Sequence, residues 1–141
     1  MSFIEPLLGC VEQSDMQKKT FSPETSPKAI GPYNHGSRIG DLLFTAGQIP
    51  LDPQTNAMVD GDISVQATRV LNNLRLLLES EGLDLGHVVK TTIFMVDLSE
   101  FAKVNEVYAQ FFTENFPARS TVQVAALPMG ARVEIEAVAH Y

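Results

Sequence analysis

Residues 87–126 read HVVKTTIFMVDLSEFAKVNEVYAQFFTENFPARSTVQVAA, and their pattern decides the fold. The stretch 87–96 is β-branched and aromatic, which predicts a strand. A helix is expected over about 100–114, with Asp97 and Glu100 spaced like a capping box and Phe101, Val104, Tyr108, Phe111 and Phe112 on one stripe. Pro117 closes the helix, and a further strand occupies 119–126. A strand, an amphipathic helix and a strand in succession describe a sheet with a helix laid on it.

Toward the N-terminus, apolar Ile63, Ala67, Val70, Leu71, Leu74, Leu77 and Leu78 recur at three- and four-residue steps between Asp62, a candidate N-cap, and Gly82, a stop. This predicts a second amphipathic helix. Residues 42–50 (LLFTAGQIP) form a nearly unbroken apolar run after Gly40-Asp41, the pattern of a strand covered on both faces, with 35–39 as its hairpin partner. Pro50, Asp52, Pro53 and Asn56 make a loop. At the C-terminus, 132–140 (RVEIEAVAH) predicts a last strand, joined to 119–126 by a short hairpin through Leu127-Pro128-Met129-Gly130.

The resulting order, ββαβαββ, predicts an α+β fold with two helices on one face of a sheet. In the last strand Val133, Ile135, Ala137 and Ala139 alternate with Arg132, Glu134, Glu136, Val138 and His140, while Arg119, Thr121 and Gln123 oppose Val122 and Val124. The face away from the helices is then mixed, with Val88, Phe94, Val96 and Val138 among polar residues. A half-apolar sheet face of this kind is expected to meet another subunit.

The chain has 141 residues, about one domain. Its 17 acidic and 10 basic residues give a formal charge of −7, which repels phosphate backbones, so nucleic acid is not expected as a partner. No apolar run approaches the length of a membrane span, so no membrane partner is expected either. The single cysteine, Cys10, cannot form an intramolecular disulfide, which fits a reducing, cytoplasmic location. MSFIEPLLGC lacks the basic and apolar regions of a secretory signal, and neither that nor a transit peptide is expected. Residues 11–28 are polar and proline-rich like a linker, dividing the chain into an N-terminal extension, 1–27, and a domain, 28–141. Phe3, Ile4, Leu7 and Leu8 are expected to pack on the domain or on a neighbouring subunit.

His35, His87 and His140 are far apart and none has another His or Cys at ligand spacing, so no metal site is expected. There is neither a phosphate-binding loop nor a dinucleotide fingerprint, so no nucleotide cofactor is expected. The distinctive residue is Arg119, which follows Phe116-Pro117-Ala118 at the start of a strand. Its guanidinium can grip a carboxylate through two parallel hydrogen bonds, or form an internal salt bridge to Glu134 or Glu136 across the hairpin. The pattern alone leaves both open.

Several motifs together carry a resemblance: Ala29-Ile30-Gly31-Pro32-Tyr33, Thr45-Ala46-Gly47-Gln48-Ile49-Pro50, Lys90-Thr91-Thr92, Val104-Asn105 with Tyr108 and Phe111-Phe112, Phe116-Pro117-Ala118-Arg119-Ser120, and Val133-Glu134-Ile135-Glu136-Ala137. From about Lys28 to Tyr141 the chain resembles the Rid family of reactive-intermediate deaminases, in its enamine/imine deaminase branch. The resemblance implies a chorismate-mutase-like fold and a homotrimer with clefts for a small carboxylate substrate between subunits. It implies hydrolysis of 2-aminoacrylate or 2-aminocrotonate, through their imine tautomers, to 2-keto acids and ammonia without a cofactor. By position, Arg119 would clamp the substrate carboxylate and Glu134 would orient or activate the attacking water. Tyr33 and Asn105 would line the cleft, and Ala46, Gly47 and Thr121 would contact the substrate.

Two residues depart from the pattern. Ala46 stands where many relatives have serine, and Thr121 where many have cysteine. The expectation is persisting activity with altered substrate preference. Other readings of the same resemblance are a keto-acid-binding module without turnover, an endoribonuclease that restrains translation, against which the charge of −7 argues, and a holdase acting through the extension.

Overall fold

Helix α1 (Ile63–Ser80) begins where Asp62, in extended conformation, accepts a hydrogen bond from the Val65 amide at 3.1 Å. It stops because Gly82 takes φ +73°, allowing the Gly82 amide to reach the Glu79 carbonyl and the Leu83 amide the Leu78 carbonyl, a Schellman ending sealed by buried Leu78 and Leu83. Asp62→Ala removes the cap and should cost about 1 kcal/mol, read as a fall of a few degrees in Tm.

The computed structural model describes residues 17–141. Around α1 it places β1 (Lys19–Phe21), β2 (Gly36–Ile39), β3 (Leu42–Thr45), β4 (Val88–Met95), α2 (Phe101–Phe111), β5 (Ala118–Gln123) and β6 (Val133–His140). They form one six-stranded sheet in the order β1-β2-β3-β6-β4-β5, antiparallel except for the parallel pair β4–β5 that α2 connects. Both helices pack on one face. Leu43, Ile93, Met95, Val133, Ile135, Ala137 and Ala139 of the sheet meet Ala67, Val70, Leu71 and Leu74 of α1 and Val104, Val107 and Tyr108 of α2. Each fully buried leucine there contributes about 1.5–3 kcal/mol.

The α+β class and the one-sided helices match the sequence pattern; several local details do not. Residues 19–21, inside the expected linker, pair with β2. Phe3, Ile4, Leu7, Leu8 and Cys10 lie outside the described residues.

The expected hairpin between the last two strands does not form. β6 inserts between β3 and β4, and β5 lies on the outer side of β4. The connection between them is too long for a tight hairpin turn and spreads across the end of β4. Val124 donates to the Met95 carbonyl, Val96 donates to the Arg132 carbonyl, and left-handed Met129 and Gly130 turn the chain between.

The capping box at Asp97 and Glu100 is also absent. Asp97 instead caps a single 3-10 turn by accepting from Ser99, and the Glu100 carboxylate pairs with the Arg132 guanidinium. A bulge between Val88 and Lys90 turns Val88 into the core and exposes Val89, so Val88 leaves the open face to which simple alternation assigned it.

The 42–50 run splits at Thr45. Leu43 is buried, while Leu42 and Phe44 are exposed on the face away from the helices. Phe44 pairs with Val138 and Gln48 with Ile135, so β3 carries one residue more than β6 across that interval. The Thr45 hydroxyl takes the Ala137 amide in place of a backbone acceptor, and the extra residue bulges at Ala46-Gly47.

Candidate active site

The bulge frames a first cavity. Because the Gln48 backbone is clamped on both sides to Ile135, at 2.8 and 3.1 Å, Gly47 is carried against the neighbouring Glu134 side chain. A Cβ on Gly47 would stand 1.8 Å from Glu134 Oε1, so only glycine admits the carboxylate in this pose. Ile30, Tyr33, Ala46, Gly47, Ile49, Pro128 and Glu134 line a mostly apolar cavity of about 320 Å³. The Tyr33 hydroxyl accepts from the Ile30 amide at 3.3 Å, and its ring stands edge-on to buried His35. Partial burial, and then the neighbouring negative charge of Glu136, raise the Glu134 pKa above its ordinary 4.5.

A second cavity opens beside β5. Arg119 pairs with Thr91 of β4 on the helix side of the sheet and emerges between α2 and Phe116. Asn105, Tyr108, Ala109, Phe116, Pro117 and Arg119 surround a cavity of about 330 Å³. The guanidinium carbon lies 4.9 Å from the Tyr108 ring centre and 5.5 Å from that of Phe101. Among the described residues Arg119 forms no ion pair. Thr121 follows on the same face, its Oγ1 buried without a hydrogen-bond partner in the described residues.

The sequence-derived residues therefore fall into two groups that one chain does not bring together. Tyr33, Ala46, Gly47 and Glu134 form one; Asn105, Arg119 and Thr121 form the other. Thr91 beside Arg119 faces the core, whereas Phe94, which pairs with Glu134, is three residues further along β4 and faces the opposite side. The internal salt bridge from Arg119 to Glu134 or Glu136 is excluded for the same reason: β4 separates the two strands and the side chains leave opposite faces.

Sequence reasoning missed Ile49, Pro128, Tyr108 and Phe116 as lining residues of these cavities. Tyr108 and Thr91 carried a signal, since each places a hydroxyl at a position whose period points into the core.

Among the described residues no cluster of three His, Cys, Asp or Glu side chains is placed to hold a metal, and no helix is long and apolar enough to cross a membrane.

Residues 23–141 match the family model described as Endoribonuclease L-PSP. The chain is 52% identical over 126 residues to Protein DfrA of Myxococcus xanthus, covering 88% of this chain and 96% of that protein. It is 49% identical over 124 residues to the 2-iminobutanoate/2-iminopropanoate deaminase of Salmonella typhimurium, covering 86% and 96%. The crystal structure of E. coli TdcF with bound serine superposes with a TM-score of 0.83 at 43% identity, covering 87% of this chain and 98% of that one.

Proposed function

The chain belongs to the Endoribonuclease L-PSP, or Rid, family, and we propose that it hydrolyses small 2-imino acids to 2-keto acids and ammonia, in clefts that a second copy of the chain completes. The observation that carries this reading is the division of the site: two cavities of about 320 and 330 Å³, one holding a carboxylate and the other an arginine without an ion pair among the described residues, on opposite faces of one sheet. Each half supplies what the other lacks.

In the joined cleft the Arg119 fork binds the substrate carboxylate, in line with the serine carried by the TdcF relative. Glu134 takes a proton from water as the water oxygen bonds to the carbon of the protonated imine, giving a neutral carbinolamine. That proton passes to the amine, the C–N bond breaks as the carbinolamine hydroxyl gives its own proton back to Glu134, and the 2-keto acid and ammonia leave, the proton then passing to solvent. An iminium carbon is already electrophilic, so positioning and a polarised water carry the step. Tyr33, Ala46 and Gly47 wall the Glu134 side; Asn105 and Thr121 wall the Arg119 side.

The open face supplies the contact between copies. Leu42, Phe44 and Val122 are each about 41–42% exposed there, and a closed ring of three chains covers them while pairing each Arg119 half with a Glu134 half. With the acidic net charge of −7, this reading is favoured over RNA cleavage.

To test the function, a serine or threonine dehydratase generates 2-aminoacrylate in situ, and keto-acid release is followed with and without the protein. Faster release is expected; an unchanged rate contradicts the deaminase reading. Gly47→Ala gives a narrower check. The added Cβ pushes against the end of a flexible glutamate and not against backbone, so turnover should fall by about 10- to 100-fold while Tm stays within a few degrees.

A further inference from the structure

Resting on the carboxylate-clamp reading above, we propose that Tyr108 and Thr91 are a positioning pair for Arg119: the Tyr108 ring is the surface on which the guanidinium lies, and its buried hydrogen bond to Thr91 fixes that surface. An arginine has several rotatable bonds and loses much freedom in holding one pose. With no ion pair among the described residues, its orientation depends on what it rests against.

Two rings are within cation–π range, at 4.9 Å for Tyr108 and 5.5 Å for Phe101. Phe101 is exposed at the start of α2, whereas Tyr108 is buried and held on two sides. Its ring stacks on Phe112 at 4.5 Å and 27°, and its hydroxyl meets Thr91 Oγ1 at 2.8 Å.

Thr91 is fully buried and is the direct strand partner of Arg119. One strand pair thus sets both the root of the guanidinium and the anchor of the ring beneath it. A packing role alone would be served by phenylalanine and valine at these positions, because two hydroxyls buried for each other contribute little to stability relative to an apolar pair of the same shape. What the hydroxyls add is direction.

That equivalence supplies the test. Tyr108→Phe/Thr91→Val leaves no orphaned hydroxyl, so the variant is expected to keep a Tm near the wild type. Its KM in the imine assay, and its Kd for 2-oxobutanoate as an unreactive carboxylate, are expected to rise about five- to tenfold with kcat within about twofold, the signature of weakened uniform binding. Thr91→Val alone should move the same way, and Thr91→Ser, which retains the hydroxyl, should recover most of the loss. In an Arg119→Lys background the double change is expected to add nothing further, because it acts through the guanidinium fork.

An unchanged KM and Kd in the double variant at wild-type Tm overturns the proposal. So does an equal rise in the Arg119→Lys background. A wild-type protein that fails to hydrolyse the imine refutes the deaminase reading instead, and the 2-oxobutanoate Kd series still decides the positioning claim.

Discussion

Arg119→Ala is expected to lower kcat/KM for the imino acid by about a hundredfold or more, mainly through KM, in a protein that stays folded. Two charge-assisted hydrogen bonds from one fork to one carboxylate contribute about 1.5–3 kcal/mol each where water is excluded, and the lower end already gives that factor. The fold should tolerate the change because no ion pair among the described residues is broken. What is lost locally is contact with the Tyr108 and Phe101 rings, about 0.5–1 kcal/mol at a partly exposed site. Arg119→Lys keeps the charge without the planar fork and should recover only part of the affinity. Steady-state kinetics in the coupled assay, with a thermal melt of each variant, decides the matter. A wild-type KM in Arg119→Ala would remove the clamp from the mechanism.

Glu134→Gln is the second large effect, acting on kcat in place of KM. Glutamine fits the same space against Gly47 but cannot take the proton from water, so turnover is expected to fall by about 10²–10⁴-fold. In the proposed mechanism the rate requires the ionised Glu134 carboxylate. Since partial burial and then Glu136 raise its pKa, the acid limb of the kcat profile should lie above 4.5 and vanish in the variant.

Stability moves the other way. A carboxyl whose folded pKa is raised stabilises the fold below its unfolded pKa, and that contribution is lost as pH rises through the folded pKa. At neutral pH the wild type therefore carries a cost that Glu134→Gln lacks, and the variant should melt slightly higher at pH 7, with the gap closing in acid. A Glu134→Gln protein with wild-type kcat would assign water activation to another group.

Much of this was legible in the residues, and the gaps have physical causes. The α1 spacing and the alternation of Val133, Ile135, Ala137 and Ala139 report burial directly, so α1 and the helix-facing side of β6 follow from them, whereas Phe101 of the expected α2 stripe is exposed. Strand pairing does not follow, because alternation states which face a residue takes but not which strand lies beside it. The hairpin expected between β5 and β6 failed on that point, and the internal salt bridge from Arg119 failed with it.

Bulges are equally silent in a period-two pattern. The one at Val88 reversed a side chain's face, and the one at Ala46-Gly47 created the recess for Glu134. The motifs around Arg119 and Glu134 picked out both residues, but only the registers Arg119–Thr91 and Glu134–Phe94 put them on opposite faces of the sheet.

Because Arg119 and Glu134 leave opposite faces, mixing subunits reveals whether one site draws them from two copies. Arg119→Ala and Glu134→Gln proteins, each expected at about a hundredth of the wild-type kcat/KM or less, are unfolded together in equal amounts, refolded and assayed at substrate well below KM. If every site takes Arg119 from one copy and Glu134 from another, random assembly should restore about a quarter of wild-type activity, the chance that a site draws both intact side chains, whatever the number of copies in the ring. Activity no greater than that of the two variants refolded separately would contradict a shared site.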